Sequence, residues 1–113
     1  MASRVTLREL VAKEQVFAPC IWDCRTARVA EVAGYKAALL SGGQLAESVC
    51  GLPDIGLMTA DDLVQAAERI CNYSPLPIII DADDGDGETP LNAYRTTRRI
   101  AHAGAMALTL DDT

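Results

Sequence analysis

A short acidic segment is the part of the sequence with the clearest capacity for chemistry. It holds five carboxylates within the eight residues 81–88, with Gly85 and Gly87 between them. Carboxylates this close repel one another, and a divalent cation would compensate their charge. Hard oxygen ligands favour Mg2+, Mn2+ or Ca2+. The same composition is also typical of a solvated turn, so the segment alone leaves both interpretations open.

The flanking sequence places the acidic segment between a strand and a helix. Residues 76–80 are apolar and include three consecutive isoleucines, which is typical of a strand buried on both faces in a parallel sheet. Thr89 and Pro90 form a helix start, with Thr as N-cap and Pro in the first helical position. A buried strand therefore ends in a cluster of negative charge, and a helix follows.

The rest of the chain alternates between predicted strands and helices. Predicted helices cover 7–13, 25–33, 60–73 and 90–103, a helical turn covers 44–49, and predicted strands cover 15–21, 36–40, 76–80 and 105–110. The capping sequence Thr6–Glu9 marks one helix start, and Gly34 and Gly104 mark helix ends. This order predicts right-handed βαβ crossovers and an α/β fold with a parallel sheet.

Polar residues follow the carboxyl end of every predicted strand. They are Asp23, Ser41, Asp81 with Asp83, and Asp111. In a parallel sheet these ends lie at one edge, where ligands bind and where barrel enzymes build their active sites. This shared position favours a metal site over a solvated turn as the interpretation of the acidic segment.

The composition argues against several other classes of function. A chain of 113 residues forms one domain, and its net charge of -6 argues against nucleic acid or an anionic membrane surface as a partner. No apolar run approaches the roughly 20 residues of a membrane span. The four cysteines form no C-x-x-C pair, so we expect them to be small packing residues in a reducing cytoplasm.

Five motifs, in this order, resemble the isocitrate lyase/phosphoenolpyruvate mutase superfamily. They are the Asp23–Arg28 segment, the Ser41–Gly43 turn, the Gly51–Asp54 loop, the acidic Asp81–Gly87 loop and the Leu110–Thr113 segment. The resemblance runs from about Leu7 to the last residue. It implies that residues 1–113 are a partial TIM-barrel domain: a short leading helix and the amino-terminal half of a (β/α)8 barrel, with about four strands, stopping after strand four.

The resemblance also implies a role for each motif. The metal-binding residues would be Asp54, Asp81, Asp83 and Asp111, with Asp81 nearest to Mg2+ (or Mn2+ in its place) and the others holding its water ligands. The substrate-binding residues would be Trp22, Asp23, Ser41, Gly42 and Gly43. Among these, Ser41 and Gly42 would donate a hydroxyl and a backbone N–H to the substrate carboxylate.

The implied reaction is cleavage of a carbon–carbon bond beside a small 2-oxo or 2-hydroxy carboxylate, through a metal-stabilised enolate. One alternative is a mutase or hydrolase acting on a phosphonate, because the family's loop with the catalytic cysteine has no counterpart in these residues and no catalytic residue is assigned. Another is a non-catalytic half-barrel that associates with itself, since its sheet edges and apolar face would be exposed. We expect a cytoplasmic homo-oligomer, and no turnover from these 113 residues alone.

Overall fold

Helices and strands alternate along the chain as the sequence predicts. The computed structural model of the protein describes residues 6–53, 59–82, 85 and 89–110. In chain order the elements are α1 (Leu7–Lys13), β1 (Cys20–Ile21), α2 (Cys24–Val32), β2 (Ala38–Leu40), α3 (Gly42–Ser48), α4 (Ala60–Tyr73), β3 (Ile78–Asp81), α5 (Pro90–Ala103) and β4 (Ala107–Thr109). The predicted alternation is therefore confirmed.

The two longest helices begin at reciprocal capping hydrogen bonds. The Thr59 side chain accepts the Asp62 N–H at the start of α4, and the Asp62 carboxylate accepts the Thr59 N–H. Thr89 and Asn92 make the same pair of bonds at the start of α5, and Pro90 lies in its first turn. These bonds satisfy backbone N–H groups that have no partner inside the helix, so local sequence fixes both helix starts.

Glycines lie at two helix ends. Gly104 is the C-cap of α5 and has a φ of 111°, which lies in the left-handed region that glycine adopts without strain. At the end of α2 the prediction is wrong by one residue. The C-cap is Ala33, in a right-handed helical conformation, and Gly34 follows it with a φ of 95°.

The sheet is parallel and its strands lie in chain order, β1-β2-β3-β4. Ile21 pairs with Leu40, Leu40 with Ile80, and Ile80 with Leu108. Helical segments connect successive strands, with both α3 and α4 between β2 and β3, as the crossovers of parallel neighbours require. The α/β class and the parallel βα units predicted from the sequence are confirmed.

The paired strands are shorter than the sequence predicts. Strands were predicted over 15–21, 36–40 and 105–110, whereas pairing is limited to Cys20–Ile21, Ala38–Leu40 and Ala107–Thr109. Composition predicts an extended backbone, but it does not predict how many of the extended residues pair with a neighbouring strand. Single backbone bonds continue beyond the strands, from Leu39 N to Pro19 O and from Met106 N to Ile78 O.

The two faces of the sheet differ in burial. The row formed by Ile21, Leu40, Ile80 and Leu108 lies against the helices, and its first three members are fully buried. The alternate row runs from the exposed Cys20 through the half-buried Leu39 and Ile79. The prediction that β3 is buried on both faces is therefore wrong, because the described helices pack against only one of them.

Helices α2, α4 and α5 supply most of the core on the buried face. Their contributions are mainly small or β-branched side chains: Ala27, Ala30, Leu63, Ala67, Ile70, Ile100 and Ala103. Small residues let the helices approach the sheet closely. In the described part of the chain, no helix is both long and apolar enough to cross a membrane.

None of the four cysteines forms a disulfide, and their environments differ. Cys71 is buried in the core, as predicted for a packing residue, whereas Cys20 is exposed on the open face of β1. The packing prediction is therefore confirmed for Cys71 and wrong for Cys20, because β1 is an edge strand within the described sheet.

Candidate metal and substrate site

The carboxyl ends of the first three strands bring Trp22, Ser41 and Asp81 together. Ile21 pairs with Leu40 and Leu40 with Ile80, so the residues that follow them occupy one row across the sheet. Alternation along a strand assigns this row to the open face, opposite the helices. The Ser41 N–H donates to the Ile21 carbonyl at 3.0 Å, which continues the β1–β2 pairing to the edge.

Asp81 extends this row toward β4. It is the last residue of β3, is half-buried and pairs in register with Thr109. Ala82, the next residue, donates its N–H to the Thr109 carbonyl at 3.0 Å. The first carboxylate of the acidic segment is therefore held at a fixed place by two strands.

The predicted Ser-Gly turn and the predicted metal segment are in contact. The Gly42 N–H, in the first turn of α3, donates to Asp81 Oδ2 at 3.4 Å. Positive partial charge at a helix start favours a carboxylate there. The sequence predicts that the Gly42 N–H binds the substrate carboxylate; in this structure its acceptor is Asp81.

Ser41 is the N-cap of α3. Its Oγ accepts the Gln44 N–H at 3.4 Å, so α3 starts at Gly42 and not at the predicted residue 44. An accepted bond leaves the hydroxyl hydrogen able to donate to a ligand. Gly43, the third residue of the predicted turn, lies within α3 and is half-buried.

Asp23 and Trp22 are held by a hydrogen-bonded corner at the start of α2. Thr26 Oγ1 accepts the N–H groups of Trp22 at 3.0 Å and Asp23 at 3.1 Å. Asp23 Oδ1 accepts the Thr26 N–H at 2.8 Å and caps the helix. Both predicted substrate-binding residues are half-buried at the edge of the sheet, and one carboxylate oxygen of Asp23 serves α2.

Arg28, which ends the same sequence motif, bonds within its own helix. Its guanidinium donates to Glu31 Oε1 at 2.7 Å, and this hydrogen bond raises the pKa of the Arg28 guanidinium. The pair is largely exposed. We therefore treat Arg28 as a surface residue of α2.

Asp81 is the one predicted metal-binding residue that lies in the described part of the chain. Asp54, Asp83 and Asp111 lie outside the described residues. Within 6–53, 59–82, 85 and 89–110, no three His, Cys, Asp or Glu side chains form a group that could hold a metal. Asp81 itself fits Mg2+: it offers hard oxygen ligands, lies at the carboxyl edge and is supported by a backbone N–H.

A buried threonine that the sequence motifs do not include bonds to Gly85, within the acidic segment. Thr96, on α5, is 4% exposed, and its hydroxyl donates to the Gly85 carbonyl at 2.8 Å. Thr96 shares the buried face of α5 with Ile100 and Ala103. A hydroxyl on an otherwise apolar helix face is a sequence signal that could have identified it, because buried hydroxyls require partners.

Comparison with known proteins assigns the chain to a family. The family model described as phosphoenolpyruvate phosphomutase matches residues 7–113.

The chain belongs to the phosphoenolpyruvate phosphomutase family.

This assignment confirms the predicted isocitrate lyase/phosphoenolpyruvate mutase superfamily.

Curated relatives of this chain include a lyase and a decarboxylase. The 2-methylisocitrate lyase of Salmonella typhimurium is 46% identical over 86 residues, covering 76% of this chain and 29% of that enzyme. The oxaloacetate decarboxylase of Pseudomonas fluorescens is 38% identical over 113 residues, covering 99% of this chain and 39% of that enzyme. The chain therefore spans well under half the length of these relatives.

Solved structures agree with the fold. The structure of 2,3-dimethylmalate lyase, a PEP mutase/isocitrate lyase superfamily member, superposes with a TM-score of 0.84 at 38% identity, covering 94% of this chain and 38% of that one. Oxaloacetate acetylhydrolase in complex with the product oxalate gives 0.89 at 29% identity, covering 96% and 38%. The four parallel strands thus correspond to part of a TIM-barrel-type fold.

Proposed function

We propose that this chain supplies the metal-binding carboxyl edge of the sheet in a Mg2+-dependent lyase. That lyase would cleave a carbon–carbon bond beside a 2-oxo or 2-hydroxy group. The observation that carries the proposal is the contact between the Gly42 N–H and Asp81 at the carboxyl edge of a parallel sheet. It joins the Ser-Gly turn to the acidic segment. Ligands of α/β enzymes bind at this edge.

Asp81 is the proposed metal-binding carboxylate nearest Mg2+, with Asp54, Asp83 and Asp111 holding water ligands. Their sequence positions support this, because Asp83 is two residues beyond Asp81, and Asp111 is two residues beyond Thr109, the register partner of Asp81. When bound, Mg2+ (or Mn2+) supplies Lewis acidity that stabilises the charge of an enolate. Water ligands held by outer carboxylates leave coordination positions for a substrate.

The substrate carboxylate is proposed to bind beside Asp81, at the start of α3. The Ser41 hydroxyl can donate a hydrogen bond there, since its Oγ only accepts from Gln44. Trp22 and Asp23 form the neighbouring wall, and Thr26 holds their backbone in place. Gly43, which is half-buried within α3, completes the proposed substrate-binding turn.

The proposed substrate is a small carboxylic acid with an oxo or hydroxy group beside its carboxylate. Three relatives support this class, because their names specify 2-methylisocitrate, oxaloacetate and 2,3-dimethylmalate as substrates. Lyase and decarboxylase names also favour carbon–carbon bond cleavage over transfer of a phosphonate group.

We further propose that the protein acts in the cytoplasm as a homo-oligomer. The four cysteines form no disulfide with one another, which is consistent with a reducing compartment. The open face of the sheet carries Leu39 and Ile79, both half-buried, and a protein contact would remove them from water.

Metal and ligand titration tests the proposed site. Calorimetry should detect Mg2+ binding to the chain, and oxalate, as a small dicarboxylate probe, should bind only when Mg2+ is present. Asp81→Asn should lower the Mg2+ affinity at least tenfold, whereas Glu68→Gln on the exposed side of α4 makes the same charge change and should leave it unaltered. A folded wild-type chain that binds no Mg2+ at millimolar concentration would contradict the proposal.

A further inference from the structure

Thr96 is a buried polar side chain that contacts the acidic segment at Gly85. With Ser74, it is one of two polar residues that are buried among those described, and its exposed fraction is 4%. Its hydroxyl donates to the Gly85 carbonyl at 2.8 Å, across eleven residues of sequence. Because the group is shielded from water, this hydrogen bond is not in exchange with solvent partners.

Gly85 is fitted closely against α5. Its φ of 90° is a left-handed conformation, and its N–H donates to the Ala82 carbonyl at 2.9 Å, which closes a turn directly after β3. A Cβ on Gly85 would lie 3.0 Å from the Ala93 Cα, on the backbone of α5. A larger residue would therefore push this turn away from the helix.

The two ends of this turn are attached to different elements. Ala82 bonds to β4 through the Thr109 carbonyl, and Gly85 bonds to α5 through Thr96. Asp83 and Asp84 lie between them in sequence. The described residues on either side of them, Ala82 and Gly85, are therefore both fixed by tertiary hydrogen bonds.

We propose that Thr96 is a positioning residue for the metal site, acting through Gly85. The proposal rests on the proposed function, in which this segment binds Mg2+. A metal requires its ligands within a few tenths of an ångström of their places, and residues behind the ligands set that geometry. Thr96 touches neither metal nor substrate; its hydroxyl holds the carbonyl that ends the turn.

The alternative is that Thr96 only fills space between α5 and the sheet. Valine tests this directly, because it matches threonine in shape and suits the neighbours Ile100 and Ala103. Thr96→Val should keep the packing and leave the Gly85 carbonyl without its donor. Serine keeps the hydroxyl and loses a methyl group, so Thr96→Ser should retain the bond.

The experiment compares these variants by Mg2+ calorimetry and by hydrogen exchange of the Gly85 amide without metal. Thr96→Val should weaken Mg2+ binding about tenfold or more. It should also speed exchange of the Gly85 amide about tenfold. Thr96→Ser should resemble wild type in both measurements, and Thr97→Val, the neighbouring half-buried threonine, should change neither.

The two measurements separate this inference from the proposed function. Unchanged Gly85 exchange in Thr96→Val overturns the positioning role, and so does unchanged Mg2+ affinity. If the wild-type chain binds no Mg2+, both the metal assignment and the positioning role of Thr96 toward that metal are overturned. The exchange data then still report whether the Thr96 hydrogen bond fixes the turn at Gly85. If Thr96→Val does not fold, Thr96→Ser and Thr96→Ala form a second pair that differs only in the hydroxyl, with the same expected contrast.

Discussion

Gly42 donates its backbone N–H to Asp81 Oδ2, although 39 residues separate the two in sequence. The bond links the first turn of α3, which follows β2, to the last residue of β3. It therefore adds a direct contact between the carboxyl ends of two neighbouring strands. It orients the Asp81 carboxylate at the edge where a cation would bind.

Gly42→Pro should remove the donor and keep the helix. Proline is favoured in the first helical position, and Ser41 already has the extended conformation (φ −85°, ψ 123°) that precedes proline. We expect Mg2+ affinity to fall about tenfold, as for other residues that orient a metal ligand. Calorimetry measures the affinity, and circular dichroism reports the helix content.

Gln44→Ala is the matched control for Gly42→Pro. It changes an exposed side chain in the same turn and keeps the backbone N–H that bonds to Ser41. Mg2+ affinity in this variant should equal that of wild type. Equal affinity in Gly42→Pro as well would mean that the Gly42 N–H does not orient Asp81.

The two faces of β3 should respond differently to the same mutation. Ile80 is fully buried against the helices, and Ile79 is half-buried on the open face. Ile80→Val should lower the free energy of unfolding by about 0.5–1.5 kcal/mol, since it removes a buried methylene. Ile79→Val should lower it by less than about 0.5 kcal/mol.

Urea unfolding measures the Ile80 and Ile79 variants under identical conditions. An equal loss for both would indicate that a protein contact covers the open face in solution. Repeating the measurement over a tenfold range of protein concentration distinguishes that case, because stability supplied by association rises with concentration.

Two glycines with positive φ should differ in their tolerance of alanine. Gly34 and Gly104 both lie after helices, with φ of 95° and 111°, so alanine at either costs about 1–2 kcal/mol of backbone strain. At Gly104 the added Cβ would also lie 3.1 Å from the Cys71 Cβ, whereas nothing lies within 4 Å at Gly34. Gly104→Ala should therefore be the more destabilising, by about 1 kcal/mol or more.

Thermal and urea unfolding of the two alanine variants measure this difference. The comparison isolates packing from backbone strain, since strain is common to both. If Gly34→Ala is as destabilising as Gly104→Ala, the contact with Cys71 is relieved by a small shift of α4.

Features decided by nearby residues were predictable from the sequence. The bounds of α5 follow from Thr89, Pro90 and Gly104, which lie at its own ends. The parallel sheet followed from the alternation of elements. The position of Ser41 and Asp81 at one edge then followed from the sheet, since carboxyl ends of parallel strands lie together.

Features decided by distant residues were not predictable in this way. Strand length depends on the partner strand, so residues 15–19, which are apolar except for Gln15, predicted a longer β1 than the pairing shows. The Thr96–Gly85 hydrogen bond joins a helix to a turn. The sequence around Thr96 indicates that its hydroxyl needs a partner, but it does not indicate that the partner is Gly85. The cap that Asp23 provides for α2 was hidden because its motif was interpreted only as part of a pocket.

The chain-ordered sheet has a consequence for how the molecule is assembled. Among the described strands, β2, β3 and β4 each pair with the strand that was synthesised just before them. Each new strand–helix unit emerging from the ribosome can dock on a template that is already formed. Each new pairing closes only the connection between successive strands, although a parallel pair always needs a crossover that costs more loop closure than a hairpin does. This order of pairing would also deliver Asp81 to an edge where Ser41 and Gly42 are already in place.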